Sequence, residues 1–218
     1  MQSSRTALLG GPAFFILWFI GAQMLYFATG GTTDNAPLPG PGEYPDVVLS
    51  NSANAHAGAT ILVLAAAMLL WFAAGLWSRI RSDHGVGLAA ALATAAIAGL
   101  LVLQAGLTVA SVVFAEELPD TSWSVYQLSN ALGFESFITS VLGATTLAAV
   151  IATASRDSIS KYLWWFTTIM AMILAVGGLL EGLDVLPEGR FSIIFGLWVL
   201  IAGFVLFAYQ ETGADTAV

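Results

Sequence analysis

The sequence predicts an all-α, polytopic membrane protein: a bundle of six transmembrane helices in one membrane domain over 1–218, with both termini cytoplasmic. Three observations carry this expectation. Hydrophobic residues make up 58% of the 218 positions and charged residues only 9%, where an ordinary soluble domain has about a quarter charged. The apolar residues gather into runs near the roughly 20 residues that cross about 30 Å of hydrocarbon as a helix. The bases fall into the polar stretches at alternate ends of those runs. In lipid the backbone must satisfy its own hydrogen bonds, so helices are the reading these runs allow.

The first run, about 8–28, follows Arg5 and is longer than the apolar core of a secretory signal. No clean A-x-A site precedes "TGGTTDNAPLPGPG", so it reads as a retained span. The connection after it, about 29–54, is the longest, and its prolines and glycines argue for an ordered cap or a loop rather than a regular helix. The second span is 55–77. The third, 86–114, is dense in Ala and Gly, whose small side chains let membrane helices approach closely, so it is expected at the centre of the bundle. The remaining spans are 130–154, 162–182 and 191–210, with tight connections at 79–85, 155–161 and 183–190. Trp123 and Tyr126 fall beside one interface; Tyr162, Trp164, Trp165 and Trp77 fall at the other.

Orientation follows from the bases. With six spans, Arg5, Arg79, Arg81, Arg156 and Lys161 share one side with the C-terminus, and only Arg190 lies opposite. Excess Lys and Arg marks the cytoplasmic side. Ten acids then lie outside: Asp34, Glu43, Asp46, Glu116, Glu117, Asp120, Glu135, Glu181, Asp184 and Glu188. An acidic face disfavours nucleic acid and other anionic partners and attracts cations. The lipid bilayer is the certain partner of such a chain; a small cation or solute, or a second membrane protein, is the expected further one.

Depth singles out five polar residues. Counting about 1.5 Å per residue from the inner boundary, Gln23, His56, Gln104, Glu135 and Glu181 all fall roughly 25–31 Å across, near the outer end of the hydrocarbon. An ionisable residue within a span ordinarily faces the bundle interior or a wet cavity. These five are therefore the candidate ligand-binding set, expected to converge on one outward-facing cavity. Two simpler readings stand beside this one. An acid at a helix end reaches water, and a glutamine within a span ties helices together.

Much chemistry is excluded. There is no Cys, which removes disulfides, thiolate metal sites and cysteine nucleophiles. The two histidines, His56 and His84, fall on opposite sides of the predicted membrane and cannot share one haem or metal. No H-E-x-x-H, G-x-S-x-G or P-loop pattern occurs, so neither a catalytic residue nor a cofactor is expected. Whether the outer carboxylates take a metal is left open, because a site needs several converging oxygens. The leading expectation is a non-catalytic membrane protein that binds or transports a small solute or cation from an outward-facing polar cavity. The alternatives are a structural or accessory subunit of a membrane complex, presenting small-residue stripes to a partner, and an intramembrane enzyme.

The opening "RTALLGG", the long polar connection ending before "AHAGATILVLAAAMLLWFAAGL" and the six-span length resemble a family of uncharacterised prokaryotic membrane proteins, the group called domain of unknown function 4386. The resemblance covers nearly the whole chain, and the family's N-terminal Arg leading into the first span is matched by Arg5. Its members carry no assigned reaction, substrate or catalytic residue, so the resemblance implies a fold and nothing about a site.

Overall fold

The computed structural model describes residues 6–31, 39–79, 84–132, 137–153, 161–183 and 192–214. These form eight helices: α1 (Gly10–Ala28), α2 (Tyr44–Ser50), α3 (Ser52–Arg79), α4 (His84–Glu117), α5 (Pro119–Leu132), α6 (Phe137–Thr153), α7 (Lys161–Gly182) and α8 (Ser192–Ala214). The chain is an all-α, multi-pass membrane protein, as its apolar runs require.

The expected six spans are corrected to four. Among the described residues only Thr6–Ala28, Ser52–Ser78, Ala90–Glu117 and Lys161–Leu180 are long and apolar enough to cross a membrane. The apolar part of α6 is Ile138–Ile151 and that of α8 is Ile193–Ala208. At about 1.5 Å per residue these reach roughly 21 and 24 Å, short of about 30 Å of hydrocarbon. Within the run read as one span over 130–154, the described helical residues are the end of α5, up to Leu132, and α6 from Phe137. The cytoplasmic placement of both termini is argued from six crossings; four, also an even number, would still leave the two termini on one side.

Local chemistry explains the helix ends. Pro12 lies in the first turn of α1, where its missing N–H has no helical partner to lose. At the other end Gly30 takes a left-handed conformation (φ 95°), while Gly31 N–H reaches Tyr26 C=O at 2.8 Å and Gly30 N–H reaches Phe27 C=O at 3.3 Å. This pair of bonds is the Schellman closure, and glycine adopts it without a Cβ clash. Leu118 alone separates α4 from α5; Pro119 cannot continue the amide ladder, yet Leu118 N–H still reaches Phe114 C=O at 2.8 Å and Ser122 N–H reaches Leu118 C=O at 2.9 Å. The helical hydrogen bonds thus run up to Leu118 and resume from it, and the break between the two helices is confined to that one residue.

The chain divides into two compact units. One comprises 1–15, 67–98 and 134–218; the other comprises 16–66 and 99–133. In the first, α1 and α3 meet through glycine. A Cβ at Gly10 would lie 2.7 Å from Met68 C=O, and one at Gly75 would lie 2.8 Å from Ala7 Cβ. Gly203 of α8 likewise sits on Pro12 and Leu8, and Gly143 of α6 packs on Phe195 and Leu174. Such approaches replace the hydrophobic drive that lipid cannot supply with close dispersion contact. The core of this unit includes Phe14, Phe72, Leu147, Leu174, Phe195 and Trp198, all buried.

In the second unit Gly21 and Gly58 face each other, with a Cβ on either coming 3.1 Å from the other's carbonyl oxygen. Around them gather α2, α5 and the C-terminal half of α4, whose core is Ala28, Tyr44, Val48, Ala55, Val112, Ala115 and Tyr126. The expectation that the Ala- and Gly-rich third span is the most enclosed is corrected here. Half of an apolar 18-residue stretch of Ser52–Ser78 is buried, against 39% of the corresponding stretch of Ala90–Glu117. The small residues of α4 lie partly on its outward side, and Gly99 and Gly106 have nothing within 4 Å of an added Cβ.

Candidate functional site

The polar chemistry of the described residues concentrates where α5 folds back along α4. Ser122 Oγ donates to Ser111 C=O at 2.6 Å, and Ser129 Oγ donates to Gln104 C=O at 3.0 Å. Later residues of α5 thus pair with earlier ones of α4, which makes the two an antiparallel hairpin. Thr108, Ser111, Ser122 and Ser129 are all buried. Buried hydroxyls must find partners, and each of these finds one in the neighbouring turn or the facing helix.

Gln104 is the one predicted site residue in this cluster, and its backbone rather than its amide does the joining. Its carbonyl oxygen receives Thr108 Oγ1 at 2.9 Å as well as Ser129 Oγ, and the two hydroxyls lie 2.9 Å from each other. A hydroxyl carries one proton, so three oxygen contacts share two protons. Thr108 and Ser129 can both donate to Gln104, or one can donate to the other. The arrangement has alternative proton placements of similar geometry.

At the far end of the hairpin α2 adds an aromatic cap. Tyr44 is fully buried; its ring stacks on Tyr126 with centroids 4.5 Å apart and tilts against Trp123 at 5.4 Å. Ser111 Oγ spends its proton on Thr108 C=O at 2.7 Å. The 2.8 Å contact between Tyr44 and Ser111 is therefore a donation from the tyrosine. Burial pushes the Tyr44 phenol up to about 12; Ser111 opposes that rise only by turning its hydroxyl to donate to the phenolate, and Tyr126 adds to the rise. Because Ser111 donates to a peptide carbonyl rather than to Thr108 Oγ1, the hydroxyls do not form an unbroken proton relay.

Gln23 on α1 and His56 on α3 are exposed, and His56 Nδ1 pairs within its own helix with Ser52 C=O at 2.8 Å. Gln104 is half-buried, and among the described residues no hydrogen bond joins it to Gln23 or His56. The backbone of Glu181 belongs to the last turn of α7, while its side chain, like the whole of Glu135, lies outside the described residues. Among the described residues no three His, Cys, Asp or Glu side chains group to hold a metal.

Tyr44, Thr108, Ser111, Ser122 and Ser129 escape a reading based on hydropathy. Their signal is the spacing of Ser122, Tyr126 and Ser129, four and three apart, which puts them on one face of a helix. Compared with known families, curated proteins and solved structures, the chain matches none. No reaction, substrate or residue role comes to it from a relative, and the site stands on its own geometry.

Proposed function

We propose that the protein is a non-catalytic structural or accessory subunit of a membrane complex, and that α4 receives a transmembrane helix of a partner protein. The observation that carries this reading is a stripe on α4. Gly99, Val102, Gly106 and Val113, on the part of α4 that belongs to the second unit, are all exposed, at intervals of three, four and seven residues. That is the 3.5-residue period of a helix seam that keeps facing one neighbour. The open glycines have little side chain to offer lipid and give a second helix room to approach closely. The buried hydroxyls support the same reading, because Thr108, Ser111, Ser122 and Ser129 are occupied with one another and with backbone carbonyls.

The absence of cysteine makes the test direct. Gly99→Cys and Gly106→Cys, each as the sole cysteine, are treated in native membranes with a bifunctional cross-linker. Val176→Cys, exposed on α7, serves as the control. The expected result is an adduct with a second polypeptide from the α4 positions and little from α7. Equal adducts at all three positions, or none on α4, would overturn the proposal.

A further inference from the structure

We infer that Tyr44 is a latch, and that α2 docks onto and leaves the α4–α5 hairpin as one unit. The inference goes beyond the accessory role and concerns a moving part of the fold. Alone, α2 has too little length to persist, since its seven residues make about two turns and isolated helices shorter than roughly 12–15 residues are marginal in water. Its order comes from its seat. Two of its large side chains enter the core beneath it, Tyr44 and Val48, both fully buried, while Asp46 and Ser50 are exposed.

Both flanks of α2 suit a swinging element. Before it, Gly40 and Gly42 have nothing within 4 Å of an added Cβ. After it, Asn51 alone separates it from α3, with a non-helical backbone (φ −113°, ψ 17°). Asn51 Nδ2 reaches back to Val47 C=O at 3.0 Å, and Ser50 Oγ reaches the same carbonyl at 2.8 Å. The end of α2 is thus satisfied from its own sequence.

The hydrogen bonds also permit release. Tyr44 donates to Ser111, so the withdrawn phenol takes its proton to water. Ser111 keeps its own donation to Thr108 C=O, and its backbone carbonyl keeps Ser122. No buried donor is orphaned behind the departing ring, which removes the usual penalty for breaking a buried polar contact. What opens is an apolar seat of Val112, Ala115 and Tyr126 with the Ser111 hydroxyl at its edge.

The experiment uses the full chain in detergent with Ala115→Cys as reporter, because Ala115 is buried under α2 and lies outside the Tyr44 hydrogen bond. Reaction with a water-soluble maleimide is timed in the Tyr44, Tyr44→Phe and Tyr44→Ala backgrounds. The expected rate is slow with Tyr44, somewhat faster with Phe, and about a hundredfold faster with Ala, in line with loss of a buried aromatic anchor. Ala202→Cys, in the core of the other unit, should stay unreactive throughout. Ser111→Ala, which leaves the ring in place but strands its phenol proton, should be faster than Tyr44→Phe and well short of Tyr44→Ala. An unchanged Ala115→Cys rate in the Tyr44→Ala background would overturn the latch. So would parallel exposure of Ala202→Cys, which would mean that the whole protein loosens and α2 is no separate unit.

Discussion

Trp198 donates its indole N–H to Thr167 Oγ1 at 3.0 Å, and the same hydroxyl donates to Leu163 C=O at 2.7 Å. The first bond crosses from α8 to α7 among buried aromatic rings of the first unit. Phe195 stacks on the indole at 6.3 Å and Phe72 meets it edge-on at 6.1 Å. Thr167→Val keeps the shape and strands the Trp198 donor, so it should destabilise the protein by about 1–3 kcal/mol. Thr167→Ser should restore most of the loss. Thermal unfolding in detergent checks both, and a cycle with Trp198→Phe should show that the two effects are not additive.

Glycine substitutions should divide sharply by position. A Cβ at Gly203 would lie 2.5 Å from Pro12 Cδ and 2.8 Å from Leu8 C=O, and one at Gly11 would lie 2.6 Å from Val199 C=O. Backbone atoms cannot step aside as a side-chain end can. Gly11→Ala and Gly203→Ala should each cost about 1–3 kcal/mol. Gly106→Leu, with open space around it, should leave the melting temperature of the purified protein unchanged while abolishing any adduct formed through α4.

Tyr44 should ionise later than an ordinary phenol. Its phenol is pushed up to about 12 from an ordinary 10.0. The folded state therefore holds the proton more tightly than the unfolded chain. That contribution to stability is whole below pH 10 and is lost as pH climbs through about 12. Absorbance titration of the phenolate should show one late step that Tyr44→Phe removes, and the same variant should flatten the alkaline decline in stability within that window.

The triangle of Gln104, Thr108 and Ser129 should tolerate single losses. With two protons serving three contacts, Ser129→Ala leaves Thr108 donating to Gln104 C=O. Each of Ser129→Ala and Thr108→Val should cost about 1 kcal/mol or less. Ser122→Ala removes the only side-chain link to Ser111 C=O among the described residues and should cost more. Denaturation of the purified protein by a denaturing detergent would rank the three.

The long helices were legible because lipid selects on the property that hydropathy measures. The expected 55–77, 86–114 and 162–182 lie within a few residues of α3, α4 and α7. Where burial is polar, that signal inverts. The inward face of α5 is Ser122, Tyr126 and Ser129, so its sequence reads as a loop and its apolar end merges with α6. The prolines around Tyr44 read as breakers, although Pro45 sits in the first turn of α2, where proline is welcome. Depth along a helix was computable for Gln23, His56 and Gln104, but rotation was not. Rotation decides that Gln23 and His56 are exposed while Gln104 is half-buried.

The seam between α4 and α5 is electrically silent. It is made of neutral hydroxyls and peptide carbonyls, with Tyr44 protonated at any physiological pH. Glu43, Asp46, Glu116, Glu117 and Asp120 lie exposed on the same elements, and their mutual repulsion rises and falls with ionic strength because exposed charges are screened over about 10 Å at 0.1 M salt. The seam has no such dependence. Salt can retune what this end of the protein attracts from solution while leaving the joint beneath it unmoved.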